Sequence, residues 1–405
     1  MTAHSPLVIA SGEAFPIRLG FRLPVSHFLK TRQHTVNIIV RLHSANGCTG
    51  HGESVPRDYI SGETPEGVLA TLERLLPQVE GHAFGGPGEL REALQAIGTS
   101  EPGMNHPAAV CALELAVLDL AGREWKMSAG EILALPIKKP ALIYSLVVPY
   151  LTDTALTRFL ENVRPFGFRH AKIKVLAEDR GERVRLVRTR LGNDIELRVD
   201  ANCAWEHSDA AARMREMADL GVVSVEQPLA AGNLAGAAGL RRPGFPRVTL
   251  DESVRSTADI ERIADAGAAD ILNIRISKCG GMLGSLKMIE AARKHGIAVQ
   301  LGAHVGESCI LSAAGALLAS GYPEFIWLEG CFGGHLLDAD LCEREFQFSE
   351  GGNFQPQDGP GLGVIIDPRR LEQAKEACSG LYEDETSSGN LSCPIGPDAK
   401  QKRRV

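Results

Sequence analysis

The 405-residue chain has no apolar run of 18 residues, so nothing in it is predicted to span a membrane. Its opening, Met1-Thr2-Ala3-His4-Ser5-Pro6, lacks the basic and apolar regions of a secretion signal. Basic residues are outnumbered: 43 Lys and Arg stand against 50 Asp and Glu, a formal net charge of −7. No basic stripe with interleaved aromatics occurs, which argues against a nucleic-acid partner. The nine cysteines are odd in number, thinly spread and never in a C-x-x-C pair. That indicates neither a disulfide framework nor a structural zinc site, and points to a reducing cytoplasm. What is there is ordinary for a globular protein: 44% hydrophobic and 23% charged residues, enough chain for two to three domains and a large core.

Residues 1–135 read as one α+β unit. Val36–Leu42 is a β-rich run ending at the turn Ala45-Asn46-Gly47, and a second strand around Thr49–Glu53 completes a hairpin. Thr64–Leu76 opens with Thr-Pro-Glu, a helix-capping pattern, and Ala108–Gly122 is apolar enough for a buried helix. From about 140 the rhythm changes. Ala141–Val148, His170–Val175, Ile195–Asp200, Val222–Glu226, Val248–Asp251, Ile271–Ile276, Ala298–Leu301 and Phe325–Leu328 alternate with amphipathic stretches. Eight such units predict a closed parallel α/β barrel. A doubly wound sheet would carry a G-x-G-x-x-G after its first strand, and none occurs there. Gly280-Gly281-Met282-Leu283-Gly284 is better explained as a turn into a helix, so no organic cofactor is expected. The tail from about 378 is poor in apolar residues, ends Lys-Gln-Lys-Arg-Arg-Val and is expected to be disordered.

The strongest signal is a spacing. Lys174, Asp200, Glu226, Asp251, Lys278, His304 and Glu329 follow one another in steps of 25 to 27 residues, each at the end of an expected strand. One β/α unit has about that length, so all seven project into one mouth, where barrel chemistry happens. A single Asp ending a strand is ordinarily a helix cap. Three carboxylates after apolar strands, one unit apart, are not caps by coincidence. In a partly buried mouth they repel one another, and a divalent cation relieves that. Hard oxygen ligands suit Mg²⁺, with Mn²⁺ as an alternative, rather than zinc. Asn202 and Glu252 supply supporting oxygens. Lys172 and Lys174 share one strand face, and adjacent ammonium groups lower each other's pKa, a route to a general base. Lys278, four units on, would stand across the mouth from Lys174.

The set Lys172-Ile173-Lys174, Val199-Asp200-Ala201-Asn202, Val225-Glu226-Gln227-Pro228, Leu250-Asp251-Glu252-Ser253 and Ser277-Lys278-Cys279-Gly280-Gly281 resembles the enolase superfamily, muconate-lactonizing subgroup. Gly50-His51-Gly52-Glu53 and Gly359-Pro360-Gly361-Leu362-Gly363-Val364 resemble its capping-domain strand and closing segment. The resemblance implies a (β/α)7β-type parallel barrel at 136–365 under an N-terminal α+β capping domain at 1–135. A C-terminal segment, 366–405, returns to the cap. It implies Asp200, Glu226 and Asp251 as metal ligands, Lys174 and Lys278 as the acid/base pair, and Lys172 as the residue that tunes Lys174. Specificity loops are expected at Leu23–Lys30 and Ser54–Thr64, with Arg57 and Tyr59 as substrate contacts or plain loop residues. Glu329 and Phe332-Gly333 look like the eighth-strand end of muconate cycloisomerases.

There are departures. Dipeptide epimerases carry an Asp-x-Asp at that eighth-strand end, where this chain reads Leu328-Glu329-Gly330-Cys331; Asp338 and Asp340 fall too late. His304 fits neither pattern and is either a specificity residue or a structural histidine. The expected reaction is removal of a proton α to a carboxylate, run as a muconate-type cycloisomerisation. Epimerisation of a dipeptide or N-acyl amino acid, or an o-succinylbenzoate-synthase-like dehydration, is the alternative. A homo-oligomer acting on a small carboxylate is expected, with no nucleic-acid or membrane partner.

Overall fold

The computed structural model describes residues 5–27, 30–136 and 141–387. An antiparallel sheet opens the chain: β1 (Leu7–His27) pairs with β2 (Lys30–Ser44), and β2 with β3 (Thr49–Ser54). Phe15, Ile17, Leu19 and Phe21 alternate inward along β1. The sequence did not announce this strand, because Gly12, Pro16, Gly20 and Pro24 interrupt its apolar pattern.

Three helices pack on the sheet: α1 (Pro65–Leu75), α2 (Pro87–Thr99) and α3 (Pro107–Trp125). The Thr64 hydroxyl accepts from Gly67 N at 3.2 Å and caps α1. α3 is buried nearly all round and lies directly on β3. A Cβ on Gly52 would come within 2.0 Å of Ala112 O, so only glycine lets the two backbones approach.

A parallel sheet of seven strands follows in sequential order: β4 (Leu146–Val148), β5 (His170–Lys174), β6 (Glu196–Asp200), β7 (Val222–Glu226), β8 (Arg247–Leu250), β9 (Ile271–Ile274) and β10 (Ala298–Leu301). The expected eighth strand, Phe325–Leu328, is reduced to isolated parallel bridges from Leu328 to Leu301 and to Tyr144. The expected run Ala141–Val148 divides. Leu142–Ile143 pairs with Asn353–Phe354, and β4 alone joins the sheet.

Buried carboxylates of the N-terminal unit cap helices of the second. Glu114 on α3 accepts from Met282 N at 2.6 Å and Leu283 N at 3.1 Å, at the start of α4 (Gly281–Lys294). Glu53 on β3 accepts from Ser308 N at 3.0 Å and Leu311 N at 3.1 Å, at the start of α5 (Cys309–Gly321). Each places a carboxylate on a positive helix end.

The last helix, α6 (Pro368–Ser387), runs past 378, where composition suggested disorder. Leu371, Ala374 and Cys378 form a buried stripe, and Lys375 Nζ lies 3.2 Å from Glu13 Oε2 on β1. The Lys-Gln-Lys-Arg-Arg-Val end lies outside the described residues. No helix among the described residues is long and apolar enough to cross a membrane.

Candidate active site

The functional side chains leave the parallel sheet at one level. β5 ends at Lys174, β6 at Asp200 and β7 at Glu226, and Asp251 follows β8. The register pairs Lys174 with Asp200 and Asp200 with Glu226. The carboxylates of Asp200, Glu226 and Asp251 are all buried. Lys172, two residues before Lys174, shares its face. Lys172 Nζ stands 3.8 Å and Lys174 Nζ 3.4 Å from Asp200 Oδ2.

Lys172 is enclosed by acids: Glu226 Oε2 at 3.1 Å and Glu329 Oε2 at 2.6 Å. Burial alone would lower its pKa, but Glu226, Glu329 and Asp200 outweigh burial and hold it above its ordinary value. The expected mutual lowering is therefore not met at Lys172, because carboxylates crowd it. Lys174 is partly exposed and donates to Asn202 Oδ1 at 2.8 Å. Asn202 in turn donates its backbone N–H to Asp200 Oδ1 at 3.1 Å and its side-chain amide to Glu252 Oε1 at 3.3 Å. It sits at φ 44°, a left-handed conformation that asparagine tolerates better than most.

Glu226 accepts from Asn273 Nδ2 at 2.8 Å and Gln300 Nε2 at 2.9 Å. Both donors are single polar residues inside apolar strands, a signal the sequence carried and the sequence reading passed over. Glu329 is fully engaged: besides Lys172, Arg198 reaches it at 2.8 Å while stacking 4.4 Å from the centre of the Trp327 ring.

Lys278 is buried and is not among the residues that line the cavity. It lies beyond the end of β9 and donates to Asp251 Oδ1 at 2.7 Å, Asp251 O at 2.8 Å and Asn273 O at 3.1 Å. Arg275, the first residue after β9, takes the position facing the cavity, paired with Asp251 Oδ2 and 3.8 Å from Glu226 Oε1. Burial alone would raise the Asp251 carboxyl, but Arg275 and Lys278 hold it well below the usual carboxylate range.

The cavity over these residues measures about 260 Å³. Lys172, Lys174, Asp200, Arg275, Glu307 and Glu329 form its polar side, and Phe166, Phe168, Phe332 and Phe348 its aromatic side. The Phe332 and Phe348 ring centres are 4.8 Å apart. Arg22 and Val25 of β1 also line it, so the first expected specificity loop does reach the cavity; residues 28 and 29 at its tip lie outside the described residues. The second loop does not reach it. Arg57 is buried, donating to Thr35 Oγ1 at 2.6 Å and Val305 O at 3.0 Å, and so ties the N-terminal unit to the segment after β10. Tyr59 lies under the Arg32 guanidinium, 5.2 Å from it, outside the cavity wall. His304 lines the cavity, buried, with Nδ1 lacking a hydrogen-bond partner. Burial, with Arg275 and Arg57 nearby, pushes its pKa well down, so the ring is neutral.

The strand-end carboxylates suit a hard divalent cation. Glu252 beside them is pushed up to about 8, by burial first and then by the charges of Asp251 and Asp200. Its Oε2 is buried without a partner. Crowded, orphaned oxygens of this kind are what a bound cation satisfies. Among the described residues, only Cys309, Asp340 and Cys342 bring ligand atoms within 4.8 Å of one another. The oxygens of Asp200, Glu226 and Asp251 are less tightly gathered, with Lys172 and Arg275 placed between them. Of the three carboxylates Asp200 lines the cavity, whereas the cysteine pair is sealed in the core.

Comparisons with known proteins agree with this geometry. The chain is 28% identical over 312 residues to an N-succinyl-L-Arg/Lys racemase of Bacillus cereus, spanning 74% of this chain and 81% of the relative. It is 27% identical over 358 residues to a chloromuconate cycloisomerase of Cupriavidus pinatubonensis, spanning 86% and 93%. In fold it matches the crystal structure of a dipeptide epimerase from Enterococcus faecalis V583, complexed with Mg and the dipeptide L-Leu-L-Tyr. The TM-score is 0.79 at 24% identity, covering 88% of this chain and 99% of that one. A profile of the enolase C-terminal domain-like family matches residues 155–370, more than half the chain. With Asp200, Glu226 and Asp251 at successive strand ends inside that match, the chain belongs to the enolase C-terminal domain-like family.

Proposed function

We propose that this protein removes a proton α to a carboxylate, with Lys174 as the base and Asp200, Glu226 and Asp251 holding Mg²⁺, and that its overall reaction is a muconate-type cycloisomerisation. One observation carries the reading: Lys174 and Asp200 meet at the polar side of a cavity whose other side is aromatic. Mn²⁺ fits the same oxygen set. The reading includes closure of the parallel sheet into a (β/α)7β barrel through residues 325–328. It also includes a capping domain at 1–135 and a cytoplasmic homo-oligomer.

Lys174 is oriented by Asn202 Oδ1 and reaches the cavity, where as a free amine it takes the α-proton. When bound, Mg²⁺ supplies positive charge to the substrate carboxylate as that proton leaves. Lys172 stays cationic and balances Glu226 and Glu329. The phenylalanine side excludes water from the reacting carbon, which strengthens each charge interaction there.

The cavity disfavours a dipeptide. A free ammonium needs an unpaired carboxylate, and the cavity acids are otherwise engaged. Asp200 belongs to the metal set. Glu329 is paired with Lys172 and Arg198. Glu307 is pushed up to about 8, chiefly by burial. An N-acyl amino acid carries no such ammonium, and the likeness to the N-succinyl racemase keeps that epimerisation as the second reading. An o-succinylbenzoate-synthase-like dehydration would begin with the same proton abstraction.

The test is a screen of muconolactones, N-acyl amino acids, dipeptides and succinylbenzoate precursors in D₂O with saturating Mg²⁺, followed by proton NMR. Loss of one α-proton signal, with lactone opening in the muconolactone case, is expected. Absence of exchange from every class, by a folded Mg²⁺-bound protein, overturns the reading.

A further inference from the structure

Away from the strand-end carboxylates, two thiols and a carboxylate meet behind the cavity wall. Cys309 Sγ, Cys342 Sγ and one carboxylate oxygen of Asp340 lie within 4.8 Å of one another, and all three residues are buried. No C-x-x-C spacing marks the pair; only the fold brings it together. Asp340 Oδ1 accepts from Cys309 N at 2.9 Å and Leu341 N at 2.7 Å. Its Oδ2 is buried without a hydrogen-bond partner. Among the described residues no cationic side chain pairs with this carboxylate. Arg370 Nη1 instead donates to the backbone oxygens of Asp340 at 3.1 Å and Cys342 at 2.8 Å. A carboxylate taken out of water is ordinarily paired with a cation or bound to a metal, because burying it alone is costly.

We infer that Cys309, Cys342 and Asp340 form a second metal site, one for a thiophilic divalent cation of the zinc class. Two sulfurs and a carboxylate oxygen suit zinc, whereas Mg²⁺ takes oxygen donors and keeps several of its waters. Three protein donors leave one position of a tetrahedral ion to water. As the ion binds, two S–H bonds break and the two protons go to solvent. The dication then stands against two thiolates and one carboxylate, and no electron is transferred.

The place of the site in the fold gives such an ion a structural task. Cys309 is the first residue of α5. Cys342 bridges Ile366, just before α6. A Cβ on Gly333 would run into Asp340 Oδ2, so that oxygen lies against the short helix Gly333–Leu336. Phe332, Gly333, His335 and Leu336 line the cavity. The ion therefore fastens the wall that carries Phe332 to α5 and to the root of α6, and takes no part in proton transfer.

The experiment produces the full chain in zinc-supplemented medium, dialyses it against Mg²⁺ buffer and counts zinc by plasma mass spectrometry. One zinc per chain is expected. A cobalt-substituted sample separates the two sites. Cobalt at Cys309 and Cys342 shows sulfur-to-cobalt charge-transfer absorption in the near ultraviolet, whereas cobalt at Asp200, Glu226 and Asp251 has oxygen donors and shows none. Cys342→Ala is expected to lose that absorption and to hold zinc at least about 100-fold more weakly, since losing a ligand exceeds losing a ligand's supporting partner. Asp200→Asn is expected to keep both the absorption and the zinc. Should Cys342→Ala fail to fold, the parent chain decides alone: an organomercurial that caps thiols releases the zinc to a colorimetric chelator. A folded parent chain that retains no zinc, or retains it without the sulfur absorption, overturns the inference. So does a Cys309–Cys342 disulfide in the chain as isolated, or a folded Cys342→Ala that binds zinc like the parent.

Discussion

Lys172 and Lys174 differ by two positions in sequence and by their whole surroundings in space. Lys172 is clamped by Glu226 and Glu329, so replacing it with methionine takes a cation away from two buried carboxylates. The expected cost is about 3–5 kcal/mol of stability, read from denaturant unfolding. Lys174 is partly exposed and makes fewer bonds. Lys174→Ala should leave the melting temperature close to that of the parent and slow α-proton exchange by about 10²–10⁴-fold. Asp200→Asn, Glu226→Gln and Asp251→Asn should each keep the circular dichroism of the parent and weaken Mg²⁺ binding in calorimetry. Near-normal Mg²⁺ affinity in any of the three would remove that residue from the ligand set. The triad and Lys174 were legible from their spacing alone, because a β/α repeat turns sequence distance into strand order. Arg275 was not, because it breaks the repeat's phase and reads as a residue inside a strand.

Between elements, the contacts that matter are carboxylates reaching from one unit to cap helices of the other. Glu114 sits in an otherwise apolar helix, and its purpose is visible only where α4 begins. Burial pushes its carboxyl up to about 8 despite the two amides it accepts from. A carboxyl whose folded pKa is raised contributes stability that is complete below the unfolded value near 4.5 and is lost as pH rises through the folded value. Glu53, pushed up to about 7 by burial, acts in the same direction. Stability should therefore decline between about pH 5 and pH 8. Glu114→Gln, which keeps an acceptor and cannot ionise, should flatten that decline and melt above the parent at pH 9. Glu114→Ala should melt below the parent at both ends of the range, since two buried amides lose their partner at about 1–3 kcal/mol each. A steeper decline in the glutamine variant would show that Glu114 is charged without cost in the fold.

Taken whole, the molecule is closed by its own C-terminal helix. α6 lays Leu371, Ala374 and Cys378 against the first sheet, and Glu372 and Lys375 reach Arg41 and Glu13. Ending the chain at Asp367 should expose that face, remove about 1.5–3 kcal/mol for Leu371 alone, and lower the melting temperature. An unchanged melting temperature would make α6 a passenger. The sequence by itself determined the β/α rhythm, the strand ends and the acidic triad, because these depend on periods of two and about 26 residues that local propensity and chain length set. It also carried the likeness to the enolase superfamily. Tertiary structure alone decided which cation faces the cavity, that Arg57 is buried and bonds Thr35 and Val305, and where Glu53 and Glu114 find their partners. These depend on rotamers and on contacts between residues up to 258 positions apart, as Glu53 and Leu311 are, and no local pattern encodes them. Arg275 and Lys278 stand three positions apart after β9, and packing around Asp251 leaves the first lining the cavity and the second buried away from it.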